Sequence, residues 1–244
     1  MPKIRLDKFM LMKKLAASRQ KAQALITAGV VEVNGIRRDK PASQIELNSH
    51  VTVAGEVCPY VSRGGLKLAQ GLSFFNLNPG GLVCADIGAS TGGFTDCLLQ
   101  NGALRVYAVD VGYGQLAWKL RQDERVVVME RTNARKLCPA DLPEPVDLAV
   151  IDAAFISLRL LIPPLLPLFK DAAAILALIK PQFEVGKGQV GKGGVVRDEA
   201  LRQQVIADTI AFAARLGLTS NGVCASPILG PKGNKEFLIY LRGK

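Results

Sequence analysis

Apolar residues recur every three or four positions from Arg5 to Leu15 and again from Ser18 to Ala28, which predicts two amphipathic helices. Ser18 is placed to cap the second, and Gly29 to end it. The pattern then switches to alternation around Asn34-Gly35, the dipeptide of a type I′ hairpin, and this ααββ stretch ends near Val53. A connector, Ala54 to Arg63, leads to a predicted helix, Leu66 to Phe75. Beyond it, short apolar runs predict strands at Val83 to Asp86, Val106 to Asp110, Val126 to Glu130, Leu148 to Ile151, Ala174 to Ile179, Ser220 to Ile228 and Phe237 to Leu241. Helices fall between them, the clearest from Asp198 to Leu216 with Gly217 after it. Strand alternating with helix implies an α/β fold whose sheet is mostly parallel and covered on both faces.

One junction in this pattern is special. The run Leu82 to Asp96 (LVCADIGASTGGFTD) reads as strand, glycine turn and helix, which brings a ligand close to bare backbone at the carboxyl edge of a sheet. Its G-A-S-T-G-G loop lacks the G-x-G-x-x-G spacing of dinucleotide folds. Asp110 ends the next apolar run and is placed to bind two ribose hydroxyls. Both features suit S-adenosylmethionine as well as NAD.

Composition narrows the partners. A chain of 244 residues with 49% hydrophobic content holds a large domain and a small one. The net charge of +10 points to a polyanion or an anionic membrane surface, and residues 1–63 carry eleven Lys or Arg against five Asp or Glu. Five scattered cysteines, none in a C-x-x-C pair, indicate reduced thiols with neither disulfide framework nor metal site. The only histidine, His50, reads as a surface residue, so histidine-based hydrolysis and metal catalysis are disfavoured. Met1 to Lys14 is no signal peptide, and Leu158 to Ile179, the best membrane candidate, contains Arg159, Lys170, Asp171 and three prolines. A buried helix and strand are expected there, in a soluble cytoplasmic monomer.

The basic N-terminal region supplies candidate phosphate contacts in Arg5, Lys8, Arg19, Lys21, Arg37, Arg38 and Lys40. R-x-D at Arg5 and Asp7, S-R-x-x-A from Ser18 to Ala22, Gly29, and V-x-V-N-G from Val31 to Gly35 followed by Lys40-Pro41 resemble the S4 RNA-binding domain, an implied module for docking on structured RNA.

In the large domain Asp152 directly follows LAVI and Lys180 directly follows ILALI, so both project from carboxyl edges beside the glycine loop. Glu236 opens the last strand, and Lys67 on the preceding helix can reach the same mouth. Methylating a ribose 2′-hydroxyl needs a base, and without histidine a partly buried lysine beside a second ammonium can serve. Lys180 is the candidate base, Lys67 the neighbouring cation, Asp152 the group orienting Lys180, and Glu236 the group orienting Lys67 or the hydroxyl.

The segments VSRGGLKL, DIGASTGGFTD, DVGYGQL, RTNAR, IDAAFISL, LIKPQFEVGKG and GPKGNKEFL resemble the TlyA family, hemolysin A-like proteins that join an S4 domain to an FtsJ-like ribosomal RNA 2′-O-methyltransferase domain. The resemblance covers essentially the whole chain. It implies a Rossmann-like class I methyltransferase, a seven-stranded sheet whose last strand inserts antiparallel, over residues 64–244, with a linker at 58–63 and a small α+β S4 domain at 1–57. It also implies methyl transfer from S-adenosylmethionine to cytidine 2′-hydroxyls of ribosomal RNA, in the large subunit or in both, with the K-D-K-E set at Lys67, Asp152, Lys180 and Glu236. The cofactor residues would be Asp86, Gly88, Ser90, Gly92, Gly93, Phe94, Asp110, Asn133 near the adenine and Phe155 near the methionine end. The family linker often carries R-x-W-V, whereas Cys58-Pro59-Tyr60-Val61 stands here.

Three other readings are available. Asp152-Ala-Ala-Phe155 is similar to the D-P-P-F motif of amino-group methyltransferases, which would make the chain a base N-methyltransferase on RNA, but it lacks both prolines, and that chemistry would give Lys180 no task. Gly186 to Lys192 has P-loop spacing, yet Gly193 replaces the Ser or Thr that would bind Mg²⁺, so a Lys/Gly loop over RNA fits better. The hemolysin label suggests membrane lysis, against which the proline-broken apolar runs argue.

Overall fold

The computed structural model describes residues 3–53, 58–186, 188–191 and 193–243. The chain divides into two units, Met1–Cys58 and Pro59–Lys244.

The N-terminal unit runs β1 (Lys3–Arg5), α1 (Leu6–Met12), α2 (Arg19–Thr27), β2 (Val31–Val33), β3 (Ile36–Arg38), β4 (Gln44–Glu46) and β5 (Val51–Val53). Strand β1 pairs antiparallel with β4, and β2 lies between β3 and β5. The ααββ expectation therefore undercounts the strands: three-residue strands are too short to show alternation. Helix α1 also stops at Met12, before Leu15, because Lys14 turns left-handed and the Leu15 amide returns to the Met10 carbonyl at 2.8 Å. The local signals that carry geometry hold. Ser18 Oγ accepts the Lys21 amide at 3.1 Å, Gly29 has φ +70°, and Asn34 and Gly35 take the two positive φ values of a type I′ turn. Leu6, Phe9, Met10, Ile26 and Val31 form the core. His50 is exposed, and its amide is bound by the Asn34 side chain.

The C-terminal unit opens with α3 (Gly64–Phe74) and β6 (Val83–Ile87), then α4 (Gly93–Gln100), β7 (Arg105–Val109), α5 (Trp118–Arg121), β8 (Val126–Met129) and β9 (Leu148–Ile151). It continues through α6 (Leu158–Leu165), β10 (Ala174–Ile179), α7 (Pro181–Glu184), α8 (Glu199–Arg215), β11 (Leu218–Ala225) and β12 (Phe237–Gly243). The seven strands order as β11-β12-β10-β9-β6-β7-β8. Only β12 runs antiparallel to its neighbours, β10 and β11, so the expected insertion of the last strand is present. Apolar layers cover both faces, one holding Tyr107, Ile151 and Ile162, the other Leu68, Leu98 and Leu176. Burial on both sides is why the central strands read as unbroken apolar runs. The apolar stretch after Ser157 resolves into α6 and β10, and no helix among the described residues is long and apolar enough to cross a membrane.

The chain steps from β6 to β7 and β8 on one side and then returns to β9 and β10 on the other. The order reverses between β6 and β9, and an open α/β sheet leaves a crevice at that point. The loops after β6 and β9 both enter it.

Candidate active site

At the end of β6 the backbone turns through Gly88 (φ +87°), Ser90 (φ +49°) and Gly92 (φ +95°) into α4. A Cβ on Gly88 would lie 2.9 Å from Ala153 Cα, so only glycine lets this loop approach the segment after β9 so closely. The loop carries its own orienting contacts: Ser90 N and Gly112 N donate to the two oxygens of Asp110 at 2.8 and 2.7 Å. The Asp110 carboxylate is thereby fixed at the end of β7, facing a cavity of about 1250 Å³ that Gly88, Ser90, Gly93 and Phe94 also line.

Two loop candidates sit elsewhere. Asp86 is fully buried beneath the turn and accepts the Thr95 hydroxyl at 2.6 Å. Burial pushes its carboxyl up to about 7, and Asp152 and Asp110 add to the effect. Gly92 starts α4, where a Cβ would overlap the side chains of Leu120 and Leu116.

Next to this turn the four charged residues form one chain of contacts. Lys67, buried on α3, places Nζ 2.6 Å from Glu236 Oε2 and 3.7 Å from Asp152 Oδ2. Lys180 Nζ lies 2.5 Å from Asp152 Oδ1 and donates to the Asp152 main-chain oxygen at 3.3 Å. Asp152 Oδ1 receives no aligned hydrogen bond among the described residues, so its contact with Lys180 is Coulombic. Two cations and two carboxylates compensate one another where an unpaired charge would be costly. Lys67, Asp152 and Lys180 line the cavity, whereas Glu236 stands behind Lys67, with Gln182 Nε2 donating to its other oxygen at 3.4 Å. Gly230 packs against that carboxylate, and a Cβ there would overlap it.

Asn133 and Phe155 complete the lining. Asn133 caps a 3-10 turn, Ala134–Lys136, by accepting the Arg135 amide at 3.1 Å. Phe155 has φ +62°, is 90% exposed and rests its ring 5.1 Å from that of Phe183.

Comparison with known proteins matches residues 60–243 to the FtsJ-like methyltransferase model and residues 4–51 to the S4 domain. The chain belongs to the FtsJ-like methyltransferase family. It is 49% identical over 239 residues to the 16S/23S rRNA (cytidine-2′-O)-methyltransferase TlyA of Mycobacterium tuberculosis, covering 98% of this chain and 89% of that one. It is 39% identical over 238 residues to hemolysin A of Brachyspira hyodysenteriae, covering 97% and 99%. A solved structure from Streptococcus thermophilus described as a hemolysin matches with TM-score 0.80 and 45% identity, over 100% of this chain and 90% of that one.

Within the S4 domain the seven basic candidates divide. Arg5 holds buried Asp7 through Nε and Nη2 at 3.0 and 2.9 Å, and Arg19 Nε adds a third contact at 3.1 Å. Lys8, Lys21, Arg37, Arg38 and Lys40 are exposed, with Arg37 lying over Gly29. Of the Lys/Gly loop in the FtsJ-like domain, Lys187 and Lys192 lie outside the described residues.

Glu130 was missed by sequence reasoning. It follows β8 and accepts the Gly114 and Gln115 amides at 2.9 and 3.2 Å while pairing with Arg121, which holds the loop carrying cavity residues Val111 and Gln115. The Gly114 bond, with help from Arg121, lowers its carboxyl below the ordinary range. The signal was available: Glu130 ends its strand as Asp110 ends the one before.

Proposed function

We propose that the chain is an S-adenosylmethionine-dependent methyltransferase that modifies cytidine 2′-hydroxyls of ribosomal RNA in the cytoplasm. The observation that carries this reading is the Lys67–Asp152–Lys180 run on the wall of the cavity beside the glycine turn, with Glu236 behind Lys67. The name of the tuberculosis relative and the S4 match supply the substrate class.

The residues present fit the cofactor. Asp110, oriented by two amides, offers acceptors for a ribose diol, and the turn at Gly88 and Ser90 offers bare backbone next to it. Asn133 would bound the adenine end, and Phe155 the methionine end where a target nucleotide enters. When bound, the cofactor supplies an electrophilic methyl group on a sulfonium.

The protein's own work is to position the nucleophile and take its proton. Once its ammonium has released a proton to solvent, Lys180 can take the proton of the 2′-hydroxyl as that oxygen receives the methyl group the bound cofactor would supply. Asp152, 2.5 Å away, stabilises the ammonium that develops, so its charge acts more strongly in the transition state than before it. Lys67 stays charged between Asp152 and Glu236 and neutralises the carboxylate pair.

Lys180→Ala is expected to keep cofactor affinity, read by calorimetry, and to lose methyl transfer to ribosomal RNA by about 10²–10⁴-fold. Nucleoside mass spectrometry of wild-type product should place the methyl group on cytidine ribose. Undiminished transfer by the variant, or methyl on a base, would overturn the assignment.

A further inference from the structure

Lys180 and Asp152 leave neighbouring parallel strands, β10 and β9; Lys180 leads into the one-turn helix α7, and Asp152 into an irregular segment that ends at α6. Those two segments are tied together by a residue outside the charged cluster. Glu184, the last residue of α7, accepts the Ser157 hydroxyl at Oε2 (2.6 Å) and the Leu158 amide at Oε1 (2.8 Å). Ser157 Oγ in turn accepts the Arg159 amide at 3.1 Å, so this hydroxyl both donates and accepts at the start of α6. Between Asp152 and Ser157 stands Phe155, left-handed and 90% exposed, with its ring against Phe183 of α7. A bulky residue in that conformation is strained and persists only where its surroundings over-determine it.

We infer that Glu184 is a positioning residue for methyl transfer: its carboxylate latches the segment after β9 to the turn after β10, fixing both the Asp152–Lys180 contact and the left-handed Phe155. The inference rests on the reading of Lys180 as base. Turn α7 is short and stiff, with Pro181 at its first position and the Phe183 amide bonded to the Lys180 carbonyl at 2.8 Å. Movement of Glu184 is therefore transmitted to Lys180. Proton transfer is sensitive to such movement, since a displacement of about 1 Å at a reacting group can cost on the order of 10²-fold in rate.

The test uses the full chain and compares Glu184→Ala, Glu184→Gln, Ser157→Ala and the Ser157→Ala/Glu184→Ala double variant, with Lys180→Ala as reference. Single-turnover methyl transfer at saturating ribosomal RNA is normalised to molecules that bind S-adenosylmethionine by calorimetry. Glu184→Ala should slow the normalised rate by at least about tenfold with the KM for RNA changed less than about threefold. Glutamine keeps an acceptor for the Leu158 amide and a donor for Ser157 Oγ, so Glu184→Gln should stay within about threefold of wild type. The double variant should be no slower than Glu184→Ala, because both substitutions break one latch.

A loss of rate that vanishes on normalisation would reduce Glu184 to a folding role and overturn the proposal, as would equal losses in Glu184→Gln and Glu184→Ala. A wild-type rate for Glu184→Ala beside an inactive Lys180→Ala would overturn the latch and leave the base in place. Full activity of Lys180→Ala would overturn the base and the latch together. Should Glu184→Ala not fold, Ser157→Ala decides alone: slower normalised transfer supports the latch, and an unchanged rate overturns it.

Discussion

Asp7 in the S4 domain and Asp152 in the methyltransferase domain are each held between two cations, Arg5 and Arg19 for the first, Lys67 and Lys180 for the second. Around Asp7 the donors are guanidinium forks joined by the Gln23 amide at 3.0 Å, and the Arg5 hydrogen bond holds its carboxyl well below the usual carboxylate range. Guanidinium does not give up its proton in a protein, so this arrangement has one state and serves as a fastening. Around Asp152 the cations are ammonium groups, the side chain is open to the cavity, and one oxygen lacks an aligned donor. An ammonium can exchange its proton, so under the proposed mechanism the same charge pattern becomes a site with two states. If Lys180 is the base proposed above, the kind of cation, more than the burial of the carboxylate, separates the structural cluster from the chemical one.

The strongest way to break this comparison is to give the chemical cluster a structural cation. Lys180→Arg keeps the charge beside Asp152 and removes the proton acceptor. Methyl transfer should fall by about a thousandfold, as deeply as in Lys180→Ala, while cofactor affinity changes little. A variant within threefold of wild type would mean that charge alone is what position 180 supplies.

Acidification provides the next test, because two buried aspartates respond with opposite sign. Asp7 has a folded pKa below the unfolded value near 3.9, so its contribution is complete above about pH 4 and is lost as pH falls further. Asp86, raised to about 7, binds its proton more tightly when folded; its contribution is complete below about pH 4 and is lost as pH rises toward 7. Denaturant melts from pH 7 to 3 should therefore show Asp86→Asn flattening the gain in stability that wild type makes between pH 7 and 4, on the order of a few kcal/mol. Asp7→Asn should cost about 2 kcal/mol at pH 7 and approach wild type only below about pH 4. Parallel curves for wild type and Asp86→Asn would show that the Asp86 proton is not linked to folding.

How far these features were legible depends on where the side chains point. Strands β9 and β10 match their predicted limits because a strand buried on both faces shows as one apolar run, and the residue after each run, Asp152 or Lys180, falls at the sheet edge. Asp86 shows the limit of that reasoning. It belongs to the glycine motif, but strand alternation sends it to the same face as Cys84, beneath α4 and against Thr95, and away from the cavity. Glu184 was hidden for another reason: its partners, Ser157 and Leu158, lie on a segment more than twenty residues earlier, and only the β9–β10 pairing brings them together.

The S4 domain offers the finest test of the same distinction. Arg5 directs its fork at Asp7, whereas Arg38 is exposed on β3, so of these two Arg38 is the one placed to neutralise a phosphate. Each phosphate contact adds roughly one to the slope of log affinity against log salt. Arg38→Ala should therefore lower the salt slope of ribosomal RNA binding by about one and weaken affinity several-fold at moderate salt, with the melting temperature held. Arg5→Ala should leave the slope near wild type and lower the melting temperature, because what it removes is a fastening. The opposite pairing, slope lost at Arg5 and stability lost at Arg38, would show that Arg5 releases Asp7 on binding. The N-terminal cluster would then have two states after all, and the contrast with Asp152 would fail.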